Sequence, residues 1–195
     1  MDAAEFFLLR YEPLHAVMTD QLFADLSDAQ LRACPRGQNS ILWVLWHVAR
    51  AEDIGISRFA EDRPELFDEG KWFDRLGAGR REVGTGMTSD EVADLTTRVS
   101  ISALREYWAV VGQRTVEIVR KGGSAGWDRV VDPRLIRRVV RDHGDFGPHV
   151  NPEVIESYYA GMTRGWAFAH LGLAHSWGHF FEANVIRGVL RFPGR

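Results

Sequence analysis

The sequence predicts an all-α protein: a four-helix bundle whose long helices are joined by long crossover loops. Apolar residues recur at helical spacing in four long segments, as expected for helices that bury one face. No alternation of period two persists long enough to predict a strand. Two irregular, glycine-containing stretches, 61–88 and 122–152, are long enough to carry the chain across a bundle.

The first two helices are predicted from apolar spacing and capping residues. Residues 3–24 place apolar side chains at helical spacing, and Pro13 is expected to kink this helix or to shift its start. The second helix is strongly apolar and is expected from Ser40 to about Ala60. Asn39 or Ser40 would be its N-cap, because both side chains can accept a hydrogen bond from a free backbone N–H group.

The second half of the chain is expected to hold the other two helices. Thr88 would cap a third helical region that continues, with a break allowed, to about Lys121, where glycines stop it. A last helix would fill roughly 153–191. Within the two irregular stretches only short helices, near 71–76 and 133–141, are expected.

Composition predicts one soluble globular domain, 1–195. The chain of 195 residues is 45% hydrophobic and 26% charged, which is the balance of a folded protein with a substantial core. The net charge of −3 argues against a basic face of the kind that binds nucleic acids. We therefore expect no nucleic-acid partner.

Cysteine usage and hydropathy predict a cytoplasmic protein. Cys34 is the only cysteine, so no intramolecular disulfide can form, as is common in a reducing cytosol. The first residues are acidic where a signal peptide would be basic. The longest apolar run, Ile41–Trp46, is far too short to cross a bilayer, so we expect no membrane partner.

Two histidines in the last predicted helix form a candidate metal chelate. His175 and His179 are four residues apart, so they project from neighbouring turns of one helix face and can bind one ion. Glu182 lies on the same stripe. It would be a fourth ligand, a general base, a partner that orients an imidazole, or a member of an ordinary buried polar network. Ser176 replaces the glutamate of an HExxH protease, so that route to peptide hydrolysis is not expected.

His47 is the candidate third ligand, from a second helix. It shares a helix face with Trp43 and Ala51, and that face should point into the bundle, where such metal sites are assembled. Three neutral imidazoles suit Zn, Ni, Fe or Cu and leave a position for water or substrate. A hydrogen-bonded core histidine is the alternative, and spacing alone does not decide between the two.

Polar residues also lie close to these histidines in the sequence, among them Arg50, Asp53 and His170. Arg50 and Asp53 form either a structural ion pair, which we favour, or an anchor for a substrate. His170 precedes His175 by five residues, so it is expected to lie off the chelating face and to pack or hydrogen-bond elsewhere. The remaining histidines, His15, His143 and His149, are not assigned to the site.

Two segments resemble the signatures of the DinB-like superfamily. Residues 39–53, Asn-Ser-Ile-Leu-Trp-Val-Leu-Trp-His-Val-Ala-Arg-Ala-Glu-Asp, resemble the second-helix run of that group, of the type NSxxWxxxHxARxED, which carries its first metal-binding histidine. Residues 175–182, His-Ser-Trp-Gly-His-Phe-Phe-Glu, resemble the HxxxH signature of its last helix. The similarity runs along most of the chain.

This resemblance implies a four-helix bundle with a non-sequential helix order and a three-histidine site for Zn, Ni or a similar ion. Relatives are often dimers, which implies a homodimer here. Characterised members include metal-dependent thiol transferases that use bacillithiol or mycothiol, and a mycothiol-dependent maleylpyruvate isomerase. Ser176 departs from the acidic residue common at that place, and Phe180 and Phe181 replace an Arg-Gly pair. These departures bear on the substrate and leave the ligands intact.

The leading hypothesis is a metal-dependent enzyme that transfers a low-molecular-weight thiol to an electrophilic small molecule. His47, His175 and His179 would be the ligands, while Glu182 and Arg50 are the catalytic candidates, with Arg50 anchoring a carboxylate of the substrate. The second hypothesis is a metal-dependent hydrolase that uses bound water. The third is a non-catalytic stress-response or binding protein.

Overall fold

Eleven α-helices account for most of residues 1–191, which the computed structural model describes. In chain order they are α1 (Ala3–Met18), α2 (Asp28–Arg32), α3 (Ile41–Asp53), α4 (Leu66–Glu69), α5 (Trp72–Leu76), α6 (Ser89–Arg98), α7 (Ile101–Gly122), α8 (Pro133–Arg141), α9 (Pro152–Tyr159), α10 (Arg164–Ala167) and α11 (His175–Arg191). Three π-helical segments, Thr19–Ala24, Ile54–Ala60 and Phe168–Ala174, and a 3-10 turn at Pro35–Gly37 complete the helical structure. The described residues contain no strand, only an isolated bridge, which confirms the predicted all-α fold.

Four long helical rods form the bundle. Rod 1 spans residues 3–24, rod 2 spans 41–60, rod 3 is α7, and rod 4 spans 164–191. Rods 1 and 2 each pack against both rod 3 and rod 4. The order around the bundle is therefore 1, 3, 2, 4. This confirms the non-sequential order, because the connections from rod 1 to rod 2 and from rod 3 to rod 4 both cross the bundle.

Some boundaries predicted from the sequence were wrong. The third predicted helical region contains the break that the prediction allowed: it is two helices, α6 and α7, because Ser100 adopts an extended backbone and caps α7. The last predicted helix, 153–191, is also interrupted. Gly161 has a φ of +74°, a left-handed conformation that suits glycine and ends a helical stretch. Helix α9 is therefore separate from rod 4. Helix α1 runs through Pro13, and the stretch 61–88 contains α4 as well as the predicted α5.

Helix α3 lies at the centre of the bundle, and all 13 of its residues are buried. It begins at the predicted cap Ser40, whose hydroxyl accepts a hydrogen bond from the Trp43 N–H at 2.9 Å. Buried polar groups need partners, so its charged and imidazole side chains must find them within the protein. No helix within residues 1–191 has the length and apolar character needed to cross a membrane.

Candidate metal centre

The three predicted ligands converge in the structure. His47 comes from α3, while His175 and His179 come from the first turns of α11. One ring nitrogen from each lies within 4.8 Å of the others, and the ring centroids are 4.4–4.9 Å apart. Imidazoles at this separation can turn their nitrogens toward one ion at about 2.0–2.1 Å from each. The donor set therefore fits a divalent transition metal.

His47 is held in one orientation by its surroundings. Its Nδ1 lies 2.5 Å from the carbonyl oxygen of Val83, and that carbonyl requires Nδ1 to carry the proton. Trp43 stacks on the imidazole with the centroids 4.9 Å apart and the planes at 5°. The Nε2 lone pair is consequently free for a metal, and Nε2 lies 3.1 Å from Nε2 of His175.

His179 is oriented by Glu182, three residues along the same helix. The His179 Nδ1 lies 2.6 Å from Oε2 of Glu182, so Nδ1–H donates to the carboxylate and Nε2 remains available for a metal. The other oxygen, Oε1, accepts a hydrogen bond from the Asn39 side-chain amide at 3.0 Å. Carboxylates and backbone carbonyls behind a ligating imidazole fix its tautomer in this way in many metal sites.

Glu182 therefore lies behind a ligand. Among the described residues, the group of converging ligand atoms comprises the three histidines. Of the interpretations left open by spacing, this geometry favours orientation of His179. A direct catalytic role of Glu182 stays a prediction. Asn39, one of the two candidate caps, bonds Glu182 instead, and Ser40 caps the helix.

The surroundings of His47 and His175 keep these two imidazoles neutral at physiological pH. Burial, with a smaller contribution from His179, lowers the pKa of His47 to about 4. Burial, followed by the neighbouring His47 and His179, lowers the pKa of His175 to about 2. The hydrogen bond from His179 lowers the pKa of Glu182. Neutral rings can coordinate a metal without first losing a proton, so the site is prepared to bind one.

Arg50 lies in the same helix but within a buried ion-pair network. Its side chain is fully buried, with Nη1 at 2.6 Å from Glu65 and Nη2 at 3.4 Å from Asp145. Nε donates to the carbonyl oxygen of Arg81 at 2.9 Å, and Nη1 also contacts the Tyr107 hydroxyl at 3.2 Å. This network agrees with the structural interpretation that the sequence favoured. A role for Arg50 as a substrate anchor stays a prediction.

A cavity of about 290 Å³ opens beside the histidines, and both His47 and His175 line it. Most of its wall is apolar, including side chains from the π-helical segment of rod 2, from α9 and from the segment before α11. None of its lining residues carries a carboxylate, an ammonium or a guanidinium group. A substrate in this cavity would lie next to the candidate ligands, largely among apolar side chains.

His170 lines the same cavity, a placement that the sequence analysis missed. As predicted, His170 does not join the three candidate ligands. Its Nε2 instead forms a hydrogen bond with the Tyr158 hydroxyl at 2.8 Å. In an α-helix, five residues advance by about 500°, so His170 and His175 would point about 140° apart. Residues 168–174 are π-helical, and five residues then complete close to one full turn because the hydrogen bonds run from i to i+5. No local sequence pattern marks such a segment.

The unassigned histidines lie apart from the triad. His15 stacks on Trp108, with ring centroids 4.3 Å apart. His149 Nε2 lies 2.9 Å from a carboxylate oxygen of Glu91. Neither His15, His143 nor His149 lines the cavity, so the structure gives these residues no place beside the candidate ligands.

Comparison with known proteins identifies a family. The sequence profile described as the DinB superfamily matches residues 15–183. That span contains all three candidate ligands and Glu182. No protein of curated function matches the chain.

Proposed function

The chain belongs to the DinB superfamily, and on that premise we propose that it is a metal-dependent thiol transferase. His47, His175 and His179 would hold one Zn or Ni ion, and a low-molecular-weight thiol would be transferred to an electrophilic small molecule. The observation that carries the proposal is the convergence of three imidazoles beside a largely apolar cavity. This combination supplies a metal site with an open position and a place for a second reactant.

The residues of the chain would prepare both reactants. When bound, the divalent ion supplies Lewis acidity that lowers the pKa of a sulfhydryl group and makes it a stronger nucleophile at neutral pH. Val83 and Glu182 fix the tautomers of His47 and His179. The largely apolar wall of the cavity would hold the electrophile beside the bound thiol. The sulfur then forms a bond to the electrophilic carbon, the sulfhydryl proton passes to solvent, and any leaving group departs with its bonding electrons.

Metal analysis of the purified protein tests the site. Protein purified without added metal should contain about one equivalent of Zn or Ni, whereas His47→Ala and His179→Ala should contain less than about a tenth of an equivalent. His170→Ala is the matched control, since this histidine lines the cavity without joining the ligands, and it should keep its metal. A wild-type chain that holds less than about a tenth of an equivalent, even after incubation with Zn or Ni, would overturn the proposal.

Metal-assisted hydrolysis is the second candidate, and the donor set favours it too. Three histidines with one open position are the arrangement that lowers the pKa of bound water toward ~7 in zinc enzymes. A substrate screen with and without added thiol separates the two reactions. Turnover that requires the thiol supports transfer, whereas turnover in its absence supports hydrolysis.

A non-catalytic binding or stress-response role is the third candidate. It predicts that His47→Ala and His179→Ala lower the metal content and leave the phenotype of cells unchanged. Loss of both metal and phenotype would instead support an enzyme. These two variants should be compared with His149→Ala, a histidine outside the triad and the cavity, at matched expression, because a loss of folded protein would mimic a loss of function.

A further inference from the structure

The cavity beside the candidate metal centre has the volume needed for a small aromatic molecule. Its volume is about 290 Å³, whereas a cavity of about 150 Å³ accommodates benzene. A ligand with two fused rings therefore matches the available space. Four aromatic side chains line it: Phe59, Phe146, Tyr158 and Tyr159. Aromatic walls favour planar rings, which they can meet edge-on or in offset stacks.

The chemistry of the wall selects against charge. Ile54, Val83, Ile155 and Leu171 add aliphatic surface to the aromatic side chains. The nearby guanidinium group of Arg50 is fully buried and paired with Glu65 and Asp145. Apart from a bound metal ion, the wall offers a carboxylate no cationic partner, so a carboxylate entering the metal-depleted cavity would lose hydration without compensation, which is costly.

The cavity nevertheless offers a few polar groups. The Tyr158 hydroxyl and His170 Nε2 are 2.8 Å apart, and Trp166 stacks on the His170 ring at 4.4 Å, which fixes this pair in place. Thr85 also lines the cavity. A ligand with one hydroxyl or carbonyl group could satisfy a donor or acceptor here.

We propose that this cavity binds an uncharged, flat, largely apolar molecule of the size of two fused aromatic rings, with a single hydroxyl or carbonyl group. The inference deepens the proposed function, since it names the class of electrophile. It rests on the proposed function for the claim that the bound molecule reacts with a thiol. Binding itself depends on the wall of the cavity. It can therefore be tested separately from the metal.

Calorimetric titration of the metal-depleted full chain with two matched probes provides the test, because a bound metal ion would itself attract a carboxylate. 2-Naphthol carries the uncharged hydroxyl, and 2-naphthoate carries a carboxylate on the same ring system. We expect 2-naphthol to bind at least about tenfold more tightly than 2-naphthoate, a difference of about 1.4 kcal/mol. Equal or tighter binding of 2-naphthoate would overturn the proposal, and so would an absence of 2-naphthol binding to the folded protein.

Two variants locate the binding in this cavity. Ile155 is half-buried in the wall, so Ile155→Trp should fill the space and weaken 2-naphthol binding at least about tenfold. Ile118→Trp is the matched control, because Ile118 is also half-buried but lies outside this cavity. Tyr158→Phe should weaken 2-naphthol and leave naphthalene unchanged. If folded Ile155→Trp binds 2-naphthol like the wild type, the site is elsewhere and the proposal is wrong.

Titrations of metal-depleted and metal-loaded protein separate this inference from the proposed function. Selective 2-naphthol binding by a chain that cannot hold Zn or Ni would support the cavity assignment and overturn the metal enzyme. A chain that holds one equivalent of metal and does not bind 2-naphthol would support the metal enzyme and overturn the cavity assignment.

Discussion

At the scale of single residues, Glu182 links the two helices that carry the candidate ligands. It accepts hydrogen bonds from His179 on α11 and from Asn39, which precedes α3. Glu182→Ala should therefore lower metal affinity by about 10–100-fold, the usual cost of removing a partner behind a ligand. Glu182→Gln keeps a hydrogen-bond acceptor, so its loss of metal affinity should be smaller. Competition with a chromophoric chelator measures both affinities.

The control for this prediction is an exposed glutamate. Glu153 lies on α9, exposed to solvent and outside the triad, so Glu153→Gln should leave metal affinity unchanged. If Glu182→Ala binds Zn or Ni as tightly as the wild type, Glu182 does not position His179 for the metal, and its interpretation as part of an ordinary polar network would be preferred.

Arg50 offers a second prediction at this scale. Because Arg50 is buried with Glu65 and Asp145, Arg50→Met removes the buried cation between them and leaves only the partly exposed Arg58 and Arg81 as partners. It should therefore lower the free energy of unfolding by up to about 5 kcal/mol. Urea denaturation gives the value. Arg138→Met is the control, since the pair of Arg138 with Asp62 is exposed and such pairs contribute at most about 1 kcal/mol. Equal losses in the two variants would contradict the prediction.

At the scale of helices, two π-helical segments build the cavity by packing closely together. Gly55 in Ile54–Ala60 approaches Leu171 in Phe168–Ala174 so closely that an added Cβ would lie 2.3 Å from Leu171 Cδ1. Gly55→Ala should therefore force the segments apart and lower stability by about 1–3 kcal/mol. Thermal or urea unfolding measures the change.

A second glycine gives the matched control. Gly188 lies within α11, and an added Cβ there would meet no atom within 4 Å. Gly188→Ala should raise stability by up to about 1 kcal/mol, because alanine is the better helix former. If Gly55→Ala is also stabilising, the close approach of Gly55 and Leu171 does not limit the packing of the two segments.

At the scale of the whole molecule, a buried carboxyl group makes stability depend on pH. Burial, with a smaller contribution from Asp53, raises the pKa of Glu52 from 4.5 to about 7, against the opposing hydrogen bonds of Thr115 and Tyr11. The folded state therefore holds this proton more tightly than the unfolded state. The stabilisation is complete below pH 4.5 and is lost as the pH rises through about 7.

Glu52→Gln isolates this effect. Relative to the variant, the wild type should lose up to roughly 3 kcal/mol of unfolding free energy between about pH 4.5 and 8. The glutamine oxygen can still accept the hydrogen bonds of Tyr11 and Thr115. Urea denaturation across this pH range measures both proteins. If the unfolding free energies of the wild type and the variant changed with pH in parallel, Glu52 would not titrate over this pH range.

Assembly is a further property of the whole molecule, and the homodimer stays a prediction. Phe181 and Val185 on α11 are 62% and 60% exposed, and Trp177 stacks on Phe181. These side chains form an apolar stripe that a second copy could cover. If they do, Phe181→Glu should convert a dimer into a monomer, as light scattering after size-exclusion chromatography would show. A dimer unaffected by Phe181→Glu would place the interface elsewhere.

The sequence by itself predicted the helical class, the boundaries of rods 1 and 2 to within a few residues, the end of rod 3, and the three histidines that converge as candidate metal ligands. Helical spacing and caps such as Ser40 are local, so they can be read without the fold. The i, i+4 spacing likewise places His175 and His179 on one face. The helix face that His47 shares with Trp43 and Ala51 made it the third candidate, and the resemblance over residues 39–53 supported that choice.

Only the tertiary structure decided how these parts combine. It brought His47 to the other two ligands, placed Glu182 behind His179, and assigned Arg50 to a buried ion-pair network. It also rotated His170 into the cavity through a π-helical segment. These outcomes depend on contacts between residues far apart in sequence and on backbone hydrogen bonds that shift from i+4 to i+5. A prediction from periodicity assumes regular α-helices. It could therefore identify the candidate ligands, but it could not reveal the cavity beside them.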